Sequence, residues 1–242
     1  MVANFGEGAT CFPPHDIIGE RIEDKLPTGK DADRLIEIIN KSSEIIERAK
    51  REYNIPTNAT HVWPWGSGRA IELQPYPERY GLCGCVISAV SLIKGLGRLA
   101  GLETPEVEGA TGFLDTNYKG KAESALKCLE REDIAIVHVE APDEASHLGD
   151  VEAKIKAIEN FDKFVVGTVF NGISAFDDVG MVVITDHYTP VSLKIHTSEP
   201  VPFAIMKDDR DDVKEFCEKE CAKGELGRIN AWDIMPYLVR ES

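Results

Sequence analysis

Two short segments of this chain each place a carboxylate beside an imidazole. Asp143 and His147 stand in PDEASH, directly after the apolar run DIAIVHVEA, and Asp186 with His187 directly follows VGMVVIT. His196 comes nine residues after His187, within the same loop-rich return. Two carboxylates and three imidazoles are oxygen and nitrogen donors that suit Zn²⁺ or Mn²⁺, with Co²⁺ and Mg²⁺ as further candidates. They suit Ca²⁺ poorly, because calcium prefers oxygen alone. An adjacent Asp-His pair cannot easily aim both side chains at one ion. Asp186 and His187 therefore fit a two-metal cluster, whose ions, about 4 Å apart, clamp the attacking and leaving oxygens of a phosphoryl transfer. A lone DxxxH is a weak signal, and so is a lone DH. The case rests on finding both, each after a buried strand, with a further histidine in the second loop. His138 is the contrast: it lies inside its strand, where side chains alternate between faces, and reads as a packed core histidine.

The elements that must position these residues alternate along the chain. A helix is expected from Asp31, with Leu35, Ile38, Ile39, Ser42, Ile45 and Ile46 on one face. After it comes a Pro-, Gly- and aromatic-rich stretch that reads as loops. CVISAVSLIKGLGRLAGL (85–102) suggests a short strand leading into a buried helix, and Lys121 to Glu130 a second helix. Residues 133–141 form a buried-strand run bounded by Pro142, which puts Asp143 and His147 in the loop above it. Residues 150–167 are amphipathic, with Val151, Ile155, Ile158, Phe161 and Val165 facing one way. Residues 179–185 and 200–206 read as strands, and Asp211 to Lys223 as a charged helix. This alternation indicates an α/β fold with a largely parallel sheet. In such sheets ligands gather beyond the carboxyl ends of the strands, which is where both Asp-His pairs fall.

Composition narrows the partners. The chain has 242 residues and a net charge of −15, from 42 acidic and 27 basic side chains. That balance opposes nucleic acid or anionic membrane as a partner, since both are bound through clustered Lys and Arg. No apolar run approaches the roughly 20 residues that span a bilayer, and Met1 to Phe12 does not read as a signal peptide. The simplest location is the cytoplasm. The six cysteines, Cys11, Cys83, Cys85, Cys128, Cys217 and Cys221, lack zinc-site spacing. They read as structural thiols in a reducing compartment.

The runs YGLCGCVISAVSLIKGLGRLAGL, GATGFLDTNYKGKAESAL, HVEAPDEASHLGD and DHYTPVSLKIHTSEPVPF closely resemble the archaeal-type cofactor-independent phosphoglycerate mutases. These belong to the alkaline-phosphatase-like metalloenzyme superfamily. The resemblance extends over essentially the whole chain and is most specific from Tyr80 to Phe203. It implies an alkaline-phosphatase-like sheet flanked by helices, with residues 81–242 as the carboxyl-terminal part of the metal-binding domain. Residues 1–80, with PPHDIIG and WPWGSG, would be the remainder of an inserted, substrate-covering domain. The implied reaction interconverts 2-phosphoglycerate and 3-phosphoglycerate through a phosphoserine, with two divalent metal ions. By motif match Asp143, His147 and His196 would hold one ion, and Asp186 and His187 the other.

The departure lies upstream. Members of that family carry a first strand, a DG segment whose Asp binds metal, and further along a nucleophilic serine. Neither the DG segment nor that serine is found here. The expectation is a carboxyl-terminal portion, or a chain that works beside a separate amino-terminal half or as a homo-oligomer. Other readings stay open: a metal-dependent phosphatase or another phosphotransferase of the superfamily, and an inactive metal-binding module. For substrate contacts Arg69 in GSGRA leads, because guanidinium binds two oxygens at once; Arg79 and Arg98 are weaker. His15 and Asp16 in PPHDIIG are candidates beside it. Lys121 is another, against the plainer reading of a solvated lysine at a helix start.

Overall fold

The computed structural model describes residues 8–207 and 211–239, apart from the side chain of His15. The chain divides into two units, Met1–Ile71 and Glu72–Ser242.

In the first unit, strand β1 (Ala9–Thr10) pairs antiparallel with β2 (Thr28–Gly29). Helix α1 (Ala32–Tyr53) follows, entered and left through left-handed residues at Asp31 and Asn54. Ala32, Leu35, Ile39 and Ser42 are its buried residues, while Ile45 faces solvent. Ser42 can join the apolar face because its hydroxyl is satisfied: it donates to Ile39 O (2.6 Å) and accepts from Val62 N (2.8 Å). PPHDIIG contains one 3₁₀ turn, Pro14–Ile17.

The second unit opens with α2 (Tyr76–Tyr80), β3 (Gly84–Ile87), α3 (Ser91–Leu99) and α4 (Tyr118–Leu129). It continues through β4 (Ile134–Val137), α5 (Ala141–Leu148) and α6 (Val151–Asn160). A π-helical segment (Phe161–Val166) leads into α7 (Gly167–Gly172), then β5 (Met181–Ile184), β6 (Phe203–Met206), α8 (Glu218–Cys221) and α9 (Ile234–Leu238). The α/β class holds, and β3 pairs parallel with β4, Gly84 opposite Ile134 through Ile87 opposite Val137. The other pair departs from the parallel expectation: β5 and β6 are antiparallel. A parallel partner needs a crossover, usually a helix. The stretch between β5 and β6 contains no helix, so the chain simply turns back.

Three expectations about faces and lengths are corrected. Helix α3 is not buried through its leucines: Leu92, Leu96 and Leu99 are exposed. Its inward face is the glycine face. A Cβ on Gly97 would lie 2.9 Å from Val86 Cγ2, so only glycine lets the helix approach β3 so closely. Val151, Ile155 and Ile158 of α6 also face outward. Ala157 packs inward with Tyr118, Ala122, Ala141 and Val165, and the π segment shifts the helix phase so that Val165 reaches this core. The charged helix expected over Asp211 to Lys223 shrinks to the four residues of α8; Asp208, Asp209 and Arg210 lie outside the described residues.

The cysteines are corrected as well. Cys85 of β3 and Cys128 of α4 form a disulfide, their Cα atoms 6.4 Å apart, inside a core with Ile87 and Ala125. Linear spacing cannot reveal this pair, since it is the packing of α4 on β3 that brings them together. Cys11, Cys83, Cys217 and Cys221 are free.

Candidate metal centre

Asp143 and His147 do not sit in a loop. They lie one helical turn apart on α5, because Pro142 occupies its first turn, where the missing N–H costs nothing. The i, i+4 spacing puts both side chains on one face, His147 Nε2 lying 3.2 Å from Asp143 Oδ2. Gly149, at φ 77°, then ends the helix.

The second half of the centre comes from the return after β5. Asp186 and His187 follow the strand, and an antiparallel bridge between Tyr188 and Thr197 brings His196 back beside them. The rings of His187 and His196 stack with centroids 3.8 Å apart. His196 Nε2 lies 3.1 Å from His147 Nε2 and 3.5 Å from Asp143 Oδ1. Asp143, His187 and His196 each offer a donor atom, all within 4.8 Å of one another. Asp186 stands at the margin, 3.6 Å from His187 Nε2 and largely exposed, its carboxylate accepting from His187 N.

The donor set fits a divalent ion. Zinc held at about 2.0–2.1 Å in a tetrahedron puts its ligand atoms about 3.3 Å apart. His147 Nε2 and His196 Nε2 stand 3.1 Å apart, and each has a different oxygen of Asp143 nearby, Oδ2 at 3.2 Å from His147 and Oδ1 at 3.5 Å from His196, separations of that order. Protonation agrees. His147 Nδ1 lies 2.8 Å from Lys194 O, an acceptor only, so Nδ1 carries the proton and Nε2 presents a lone pair. Lys194 aims that carbonyl from a left-handed conformation (φ 59°).

His138 is not simply a core residue, which corrects the expectation. It follows β4 directly, with Nδ1 3.2 Å from Ser88 Oγ and Nε2 3.2 Å from Glu140. Burial lowers its pKa, opposed by nearby Asp186 and Asp143. Burial raises that of Glu140, reinforced by Asp143, Glu144 and Asp186. Lys121, far from being solvated, is 1% exposed and donates to Thr111 O (3.4 Å) and His138 O (3.3 Å). Its pKa falls to about 8 through burial, with Glu140 acting the other way. Arg69 and Asp16 belong to the first unit, both exposed, Arg69 in irregular chain; the side chain of His15 lies outside the described residues. The sequence reading missed Ser88, Glu140, Thr189 and the Lys194 carbonyl. For Thr189 a signal existed: it stands two residues beyond His187, the spacing that shares a face in extended chain.

The description of the metalloenzyme superfamily matches residues 31–241. The chain belongs to the metalloenzyme superfamily. Its similarity to other proteins is specific. It is 42% identical to the 2,3-bisphosphoglycerate-independent phosphoglycerate mutase of Methanosarcina barkeri, over 98% of this chain and 62% of that protein. It is 45% identical to the probable 2,3-bisphosphoglycerate-independent phosphoglycerate mutase of Geobacter sulfurreducens, over 85% of this chain and 52% of that one. A solved structure of a Pyrococcus horikoshii protein, 31% identical, superposes with a TM-score of 0.65 over 69% of this chain and 52% of its own. The chain thus spans about 62% of the length of the Methanosarcina relative.

Proposed function

We propose that this chain supplies the metal-binding part of a 2,3-bisphosphoglycerate-independent phosphoglycerate mutase, interconverting 2-phosphoglycerate and 3-phosphoglycerate by phosphoryl transfer through a serine. The observation that carries this reading is the convergence of Asp143 and His147 from α5 with His187 and His196 from the return after β5. Asp143, His147 and His196 hold one divalent ion, zinc or manganese, and Asp186 with His187 the second. When bound, such ions neutralise charge on the phosphoryl oxygens and on the attacking and leaving oxygens. The chain's own residues prepare that place. Lys194 O turns the His147 lone pair inward. Buried Lys121 ties the carbonyls of Thr111 and His138, and so fixes the chain between β4 and α5. Arg69 is the proposed contact for the substrate's phosphate or carboxylate, and His15 and Asp16 are the further proposed contacts.

The test uses the chain with Mn²⁺ or Zn²⁺ and 3-phosphoglycerate. No serine here matches the family nucleophile, so the chain alone should form no 2-phosphoglycerate. Joined to the part of the Methanosarcina barkeri protein that it does not match, it should gain turnover. H147A or D186A should then abolish that turnover. Mutase activity of the chain alone contradicts the proposal, and so does release of inorganic phosphate as the sole activity of the joined protein.

A further inference from the structure

Thr189 is 4% exposed, and its hydroxyl touches both halves of the centre. It donates a hydrogen bond to Asp143 Oδ1, on α5. The same oxygen lies 3.2 Å from His187 Nδ1, on the return after β5. The directions follow from the chemistry of the groups. An ionised carboxylate only accepts, and a hydroxyl has one hydrogen, so that hydrogen goes to Asp143. The threonine oxygen can then only accept from His187, whose Nδ1 must carry the proton. His187 Nε2 is left with its lone pair facing outward from this chain of bonds. The carbonyl of Tyr188 is a second acceptor near Nδ1, but at 3.4 Å it is at the limit of a hydrogen bond. The side chain of Lys154 helps hold Thr189 in place, its Nζ donating to the Thr189 carbonyl at 2.9 Å.

We propose that Thr189 is the positioning residue of the metal centre: by donating to Asp143 and accepting from His187 Nδ1 it locks two ligands from different elements into register and presents His187 Nε2 to a divalent cation. This rests on the metal-binding reading of the site, not on the substrate. Nothing in the linear motif beyond the two-residue spacing indicates it, because the partner at Asp143 is 46 residues away.

The test is made on the full chain in the absence of phosphoglycerate. Long-range ¹H–¹⁵N correlation spectra of the metal-free protein read the tautomer of each histidine, and calorimetric titration with Zn²⁺ reads affinity. In the wild type His187 should be protonated at Nδ1. T189V should shift it towards the Nε2-protonated form and weaken Zn²⁺ binding about 10- to 100-fold. T189S, which keeps the hydroxyl, should restore both. A wild-type His187 protonated at Nε2 overturns the proposal whether or not any variant folds, and so does a wild type that takes up no Zn²⁺. A T189V chain that binds Zn²⁺ as tightly as the wild type also overturns it, since the Tyr188 carbonyl then suffices. T189S as impaired as T189V does the same. None of these signals involves phosphoglycerate, so failure of the mutase reading leaves them unchanged.

Discussion

At His147 the carbonyl of Lys194 decides which ring nitrogen keeps the proton, and with it which nitrogen can face a cation. Lys121 shows the same coupling of burial and protonation in a cation. Its ammonium lies in the core with two carbonyls for partners, and burial lowers its pKa from the ordinary 10.5 to about 8. Between those two values the unfolded chain holds a proton that the folded chain has released. The free energy of unfolding therefore rises with pH across that window, while below about pH 8 Lys121 adds no slope. Urea midpoints at pH 8 and pH 10 should show this rise in the wild type. In K121M, which fills the same space without a titrating group, the rise should be reduced. Equal slopes in the two proteins would remove Lys121 as the cause.

Among the elements, α5 shows how a proline can mislead: Pro142 reads as the end of a strand, yet it lies in the first turn of the helix that carries Asp143 and His147, two of the candidate ligands. Helices α3 and α6 show a similar inversion, with aliphatic side chains outward and Gly97 or Ala157 inward, since close helix packing is set by the smallest residues. Strand β3 and helix α4 are further joined by the Cys85–Cys128 disulfide, closing a loop of sequence separation 43. A native cross-link of this kind contributes about 2–4 kcal/mol, chiefly by restricting the unfolded chain. Peptide mapping without reductant should recover Cys85 linked to Cys128. C85A/C128A should lose about that much stability in urea denaturation, with the metal-binding affinity largely kept. A wild-type stability indifferent to reductant would show that the bond does not form.

For the molecule as a whole, the candidate ligands come from α5 and from the return after β5, so a bound ion cross-links parts of the second unit that are distant in sequence. The unfolded chain cannot present them together. An ion bound only by the folded state adds about 2.7 kcal/mol of stability at a free concentration one hundred times its Kd. Thermal unfolding should therefore move upward with Zn²⁺ or Mn²⁺ and return on chelation, and the shift should vanish in D143A. A midpoint unmoved by either ion would speak against the centre. No helix among the described residues is long and apolar enough to cross a membrane.

The linear order of residues specifies the α/β class, the placing of Asp143/His147 and Asp186/His187 directly after strands, and the family motifs, because each is a local pattern of residue types. It does not determine which way β6 runs against β5, which faces of α3 and α6 turn inward, or that Cys85 meets Cys128. Those depend on how elements pack, and packing is decided by shape and by partners far along the chain. The same holds for the finer chemistry of the centre. That Asp and His stand close together is written in the motif, but the proton on His147 is placed by the carbonyl of Lys194, 47 residues later. The link from Asp143 to His187 is made by a threonine hydroxyl that only the folded chain brings between them.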